Sequence, residues 1–171
     1  MITLTVAGYN TSVNSCAANI RTRNNLADMS SEIKDSPLNW VADHIKRYVD
    51  TQGEDGHEWN GTQILLLTTK GRKSGDLRRC ALIYGKDGDD FIIVASRGGD
   101  PNHPLWYLNL VAEPQVTIQV KGDVFPAVAT TITNTDDYER LWNVMLTHWP
   151  AYAEYQQKTD RKIPLVRISR A

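Results

Sequence analysis

The sequence predicts an α+β, mainly β domain: a small closed or half-open antiparallel barrel with helices at its flank and ends. Three observations point there. Six short runs are rich in β-branched and aliphatic residues, as strands are. Turn-length links such as Lys86-Asp87-Gly88-Asp89-Asp90 and Lys121-Gly122-Asp123 join neighbouring runs, which suits antiparallel pairing. Helical stretches interrupt the strands and flank them.

In chain order, residues 1 to about 35 are rich in Asn, Ser and Thr and lack apolar periodicity. They read as a disordered tail, or as translation begun upstream of a natural start at Met29. Ile2 to Ala7 is broken by Thr3 and Thr5, too short a run for a secretory core. A single domain is expected over residues 36–171. Ser36-Pro37 resembles an N-cap with proline at the first helical position, and Leu38, Val41, Ile45 and Val49 recur at helical spacing. That helix is expected to cover the sheet; contact with a membrane or a hydrophobic substrate channel is the alternative.

Strands are predicted over Thr62–Thr69, Arg79–Gly85 and Phe91–Ser96. Proline opens a helix over Pro104–Leu110, and strands follow over Gln115–Val120 and Val124–Thr133. Thr135-Asp136-Asp137 starts a long helix with acids where its dipole favours them; Leu141, Val144, Met145 and His148 share one face, and Pro150 stops or kinks it. A last strand is predicted over Ile163–Ser169.

The net charge of −1 gives no general attraction to nucleic acid or anionic membrane. Charge is nevertheless concentrated. Lys70, Arg72, Lys73, Arg78 and Arg79 face one acid, Asp76, within ten positions. Cys16 and Cys80 are too far apart in sequence to read as a disulfide framework, which suits a reducing cytosol. His44, His57, His103 and His148 lack metal-ligand spacing, so no metal is expected. No membrane-spanning run is present.

The basic stretch Thr68-Thr69-Lys70-Gly71-Arg72-Lys73-Ser74-Gly75 directly follows the apolar run Ile64–Leu67. A strand ending in such a turn presents backbone N–H groups and cations together, the chemistry that holds phosphate or carboxylate. A solvated basic hairpin is the alternative. A nucleotide-binding P-loop is excluded, because Arg72 rather than glycine precedes Lys73 and a strand rather than a helix follows.

Four further clusters stand out. Ala95-Ser96-Arg97-Gly98-Gly99 ends an apolar strand with glycines that admit a planar ligand and a serine placed to hydrogen-bond it; a plain turn is the alternative. Pro104 to Leu110 reads as core, with Trp106 or Tyr107 placed to wall a pocket. Trp149, Tyr152 and Tyr155 repeat every third position, a stripe that is usually core, though a neutral phenol can donate to a substrate carbonyl. Asp160 and Arg161 are placed to anchor the last strand. No Ser/His/Asp or Cys/His set suggests hydrolysis, so redox chemistry supplied by a cofactor is the simpler reading.

In order, Leu66–Gly75, Val94–Gly99, Pro104–Leu110, Pro150–Gln156 and Thr159–Pro164 resemble motifs of the deazaflavin-dependent nitroreductase family of actinobacteria. The resemblance covers about residues 60 to 168. It implies the split β-barrel fold of flavin-binding oxidoreductases and coenzyme F-420, a deazaflavin with a phosphate and an oligoglutamate tail. By resemblance, Arg72, Lys73, Ser74, Gly75, Asp76 and Leu77 hold phosphate and tail. Leu66, Leu67, Thr68, Ile93, Val94, Ala95, Ser96 and Arg97 line the deazaflavin. Tyr152 matches the family's catalytic tyrosine, with Ser96 near the reacting ring and Trp106, Trp149 and Tyr155 in the substrate pocket. Trp149 and Ile83 stand where the family often has tyrosine, a change expected to alter substrate choice more than cofactor binding.

The expected function is hydride transfer from reduced F-420 to a small, hydrophobic, electron-poor alkene, quinone or nitro acceptor. The same barrel with FMN is the second reading. A non-catalytic module presenting the basic turn to single-stranded nucleic acid is the third, disfavoured because the turn has no aromatic residue. A cytoplasmic protein, with peripheral membrane contact as the variant, is expected.

Overall fold

The computed structural model describes residues 33–171. The predicted start at Met29, Cys16 and most of the predicted tail lie outside the described residues. Within them the chain runs α1 (Asn39–Asp50), β1 (Glu58–Trp59), β2 (Thr62–Lys70), β3 (Leu77–Asp87), β4 (Asp90–Val94), α2 (Leu105–Ala112), β5 (Gln115–Val120), β6 (Asp123–Thr131), α3 (Thr135–His148), α4 (Ala151–Gln157) and β7 (Leu165–Arg170). Every strand pairing is antiparallel, in the order β1-β2-β3-β4-β7-β6-β5. A further pairing sets Leu67 of β2 opposite Ile118 of β5 and closes β2 to β7 into a six-stranded barrel.

Closure explains the unbroken apolar run in β2. Leu65 and Leu67 point into the barrel with Tyr84, Ile93, Ile118, Phe125, Val166 and Ile168. Ile64 and Leu66 point outward and are covered by Ile45 and Tyr48 of α1. A strand buried on both faces has no reason to alternate. On the opposite flank α3 and α4 cover Ile92, Val94 and Leu165 with Tyr138, Leu141, Met145 and Tyr152. Helix α3 sits close to β3, where a Cβ on Gly85 would fall 2.8 Å from the Met145 sulfur.

The Tyr48 hydroxyl joins three segments. It donates to the Ile64 carbonyl at 3.0 Å, accepts from the Lys121 N–H at 2.8 Å, and meets His57 Nδ1 at 3.1 Å. An ion network does the same at the other flank: Asp87 accepts from Arg140 and Arg167, and both arginines also reach Asp137 of α3.

Several sequence expectations are corrected at element ends. Helix α1 starts two residues after Pro37, because Leu38 takes an extended conformation and its carbonyl accepts the first helical bonds. Ser36 Oγ caps only the Leu38 N–H, at 3.3 Å. Leu38 is 57% exposed, and the buried face of α1 is His44, Ile45 and Tyr48. Strand β4 stops at Val94, where the chain turns to positive φ at Arg97. Strand β7 starts at Leu165, since the Ile163 N–H donates to Gln156 Oε1 instead of a strand. Lys34 and Asp35, counted with the tail on composition, lie along β3. The Lys34 N–H donates to the Leu77 carbonyl, and Asp35 accepts from Arg79 Nε at 2.7 Å and Nη2 at 3.0 Å.

Candidate functional site

A cavity of about 350 Å³ lies where α1, the outer face of β3, the turn after β4 and α4 meet. Aromatic rings dominate its wall. Trp40 of α1 stacks near Trp59 of β1 with centroids 6.5 Å apart, and Trp59 meets Trp149 at 5.6 Å. With Trp106 of α2, four of the chain's five tryptophans face this space. Ile64, Ala81 and Ile83 form its apolar floor.

Two hydroxyls open onto it. Ser96 (8% exposed) and Tyr152 (5% exposed) both line the cavity, and no described residue hydrogen-bonds either side-chain oxygen. Tyr152 comes from α4, which starts after Pro150 ends the preceding helix at the extended Trp149. Its ring packs against Trp142 and Tyr155, with centroids 6.3 and 6.0 Å away. Burial, with a smaller contribution from Tyr155, holds the Tyr152 phenol well above its ordinary range, so it is a neutral donor. Tyr155 accepts a long hydrogen bond from Trp149 Nε1 at 3.5 Å.

Ser96 stands at the head of a tight turn in which Arg97, Gly98 and Gly99 have φ of 48°, 66° and 86°. Glycine is required at 99, where a Cβ would fall 2.6 Å from the Tyr155 carbonyl oxygen. Arg97, 48% exposed, adds a cation to the wall and is only loosely paired with Asp100, at 3.6 Å.

The basic turn between β2 and β3 is a separate feature joined to the cavity through α2. Asn109, buried, accepts the Arg72 N–H at 3.2 Å and Arg72 Nη1 at 3.5 Å, and donates to Thr69 Oγ1 at 3.2 Å. Trp106, one helical turn earlier, faces the cavity. Lys34 and Arg78 share Asp76, and Arg79 holds Asp35. Lys70, Arg72 and Lys73 are exposed and, among the described residues, form no ion pair. Three free cations fit a ligand bearing several negative charges.

The structure therefore divides the residues assigned by resemblance. Val94, Ser96, Arg97, Trp106, Trp149, Tyr152 and Tyr155 come together around the cavity. Leu66, Leu67, Thr68, Ile93 and Ala95 do not reach it: Leu67 and Ile93 face the barrel interior, Leu66 lies under α1, and Thr68 and Ala95 are buried. Within the turn, Asp76 is bound to Lys34 and Ser74, whose hydrogen bonds hold its carboxyl below the ordinary range, and Leu77 pairs with Lys70 at the start of β3. Ser74 and Gly75 shape the turn rather than add charge: Ser74 Oγ accepts the Asp76 N–H, and Gly75 has φ of 76°. Asp76 and Leu77 build the turn; Arg72 and Lys73 supply its charge.

Sequence reasoning missed Trp40, His44 and Trp59. Trp40 and His44 are four apart on α1, so one helix face carries both, a signal hidden when only aliphatic positions are counted. His44 is buried with no hydrogen-bond partner for Nε2 among the described residues; burial first, then Arg47, lowers its pKa and keeps it neutral. Trp59 has no such signal, because its place depends on pairing with β2. Among the described residues no helix is long and apolar enough to cross a membrane, and no cluster of metal-binding side chains occurs.

The sequence profile of the F420H(2)-dependent quinone reductase family matches residues 40–169, which include the cavity and the basic turn. The chain belongs to that family. It is 42% identical over 130 residues to the F420H(2)-dependent quinone reductase Rv1261c of Mycobacterium tuberculosis, an alignment covering 74% of this chain and 87% of that one. A solved F420-H2 dependent reductase, FDR-A, superposes with TM-score 0.57 at 40% identity over 62% of this chain and 93% of its own. A chain described as a domain-swapped dimer gives TM-score 0.61 at 36% identity, covering 78% of this chain and all of its own. The family's split-barrel architecture is the one the six-stranded closure produces.

Proposed function

We propose that this member of the quinone reductase family reduces a quinone in the tryptophan-walled cavity, using F-420 held through its acidic tail by the basic turn. One observation carries the reading: two unpartnered hydroxyls, Ser96 and Tyr152, open onto one apolar, aromatic cavity. When bound, reduced F-420 supplies a hydride. The protein's own part is positional and electrostatic. The indoles of Trp59 and Trp149 hold a planar acceptor between them and the β3 floor and exclude water. Tyr152, protonated throughout the physiological range, donates to an acceptor oxygen that gathers negative charge. Ser96 donates from the other wall, and Arg97 adds a positive field at the rim. Lys70, Arg72 and Lys73 bind the phosphate and glutamates.

Fluorescence titration with oxidised F-420 and with FMN, followed by turnover with a soluble quinone, tests this. Tight F-420 binding that weakens about tenfold or more in Arg72→Ala/Lys73→Ala, with quinone turnover, is expected. Preference for FMN, or an unchanged affinity in the double variant, overturns the assignment of the turn.

A further inference from the structure

The strand-anchoring role expected of Arg161 misses most of what it does. Its guanidinium reaches away from β7 into the turn after β4. Nε donates to the Asp100 carbonyl at 2.8 Å, Nη1 to the Ala95 carbonyl at 3.2 Å, and Nη2 to the Ser96 carbonyl at 2.7 Å. Nη1 also meets His103 Nδ1 at 3.3 Å. One planar cation thus grips both ends of the segment that carries Ser96 and Arg97, then the residue just before Pro104 and Trp106.

That segment needs a grip. It holds three consecutive residues at positive φ, one of them Arg97, a conformation costly for a residue with a Cβ. Its internal backbone hydrogen bonds are two, Gly99 N–H to the Ser96 carbonyl at 3.0 Å and Asp100 N–H to the Arg97 carbonyl at 3.2 Å, beside the loose Arg97–Asp100 ion pair.

Arg161 is itself tied to the helix that carries Tyr152. Gln156 of α4 donates to the Arg161 carbonyl at 2.9 Å and accepts the Ile163 N–H at 2.9 Å. The turn touches the same helix directly, Gly99 lying against the Tyr155 backbone. A closed circuit of contacts therefore runs from α4 through Gln156 and Arg161 to Ser96, and back through Gly99 to α4.

We propose that Arg161 is a positioning residue for the reaction: its guanidinium fixes the Ser96 turn against the Tyr152 helix, and so the distance across which an acceptor is held. The proposal rests on the function assigned above. Arginine suits the site because its planar fork spreads donors over three nitrogens that reach three separate carbonyls and His103; the ammonium of lysine keeps the charge but directs its three donors from one nitrogen and loses that geometry. Arginine has no acceptor, so its contact with His103 also requires Nδ1 to be unprotonated and places the imidazole proton on Nε2.

Arg161→Lys and Arg161→Met, each in the full chain, test this with three readouts: steady-state kinetics with reduced F-420 and a soluble quinone, F-420 affinity, and amide hydrogen exchange. The expected result in Arg161→Lys is kcat lowered about 10- to 100-fold, the cost of a displacement on the order of 1 Å. F-420 affinity changes less than about threefold, since the cationic turn is untouched. Exchange at Gly99 and Asp100 accelerates in both variants while β2 and β5 amides stay protected, and the His103 ¹⁵N signals lose the Nε2–H pattern. An unchanged kcat, or unchanged exchange at Gly99 and Asp100, overturns the proposal. If the wild-type protein reduces no quinone, the functional assignment fails by itself. Exchange and the His103 signals then decide whether Arg161 holds the turn.

Discussion

Replacing Tyr152 by phenylalanine removes one oxygen and leaves every packing contact of the ring in place. The hydroxyl has no hydrogen-bond partner among the described residues, so no buried group is orphaned by its loss. The ring still packs on Trp142 and Tyr155 at 6.3 and 6.0 Å. Folding stability is therefore expected to change by about 0.5 kcal/mol or less. In the reaction the same oxygen is a pre-placed donor to charge that develops on the acceptor, and removing one such donor costs about 3 kcal/mol, or about 10²-fold in kcat. Because burial raises the phenol's pKa, the donor stays protonated and the ratio of wild-type to variant kcat is flat from about pH 5 to 9. The assay follows the absorbance of the deazaflavin during quinone reduction, with fluorescence titration of F-420 beside it. A tenfold or larger loss of F-420 affinity in parallel with kcat, or a kcat within about twofold of wild type, refutes the role of Tyr152 as a donor to the acceptor.

Two further outcomes follow from the geometry. Asn109→Ala removes the acceptor shared by the Arg72 N–H and guanidinium, so F-420 affinity should fall about tenfold and stability by about 1–2 kcal/mol, read by titration and calorimetry; a lower Tm with unchanged affinity makes Asn109 purely structural. Hydrogen bonds from Arg140, then Arg167, hold the Asp87 carboxyl at about 2, below its ordinary 3.8. A folded pKa below the unfolded one stabilises fully above about pH 4, and that contribution is lost as pH falls towards 2. With the side chain 24% exposed, Asp87→Asn should cost about 1–2 kcal/mol at pH 7 and flatten the acid limb of the stability curve. An unaltered acid limb in denaturant titrations contradicts this.

The barrel was legible because its signals are local. Branched aliphatic runs, the Gly88 and Gly122 turns and the prolines at 104 and 150 that bound helices act within a few residues, so the elements read from them have the right type and ends within two positions, whereas the two-residue β1 went unread. Arg161 shows where local reading stops. Its neighbours in sequence suggested an anchor for β7, yet its guanidinium serves residues about sixty positions upstream.

The sequence by itself determined the antiparallel strands, the cationic turn, the Tyr152 stripe and the family, since each is written in contiguous residues. Tertiary structure alone decided which side of each strand met the cavity. That Leu67 faces the barrel interior and Leu66 lies under α1 depended on β2 pairing with β5 and on α1 covering the outer face. Gathering Trp40, Trp59, Trp106 and Trp149 around one space required elements far apart in the chain to pack together. Periodicity marks which residues are buried; closure of the barrel decides what they are buried against.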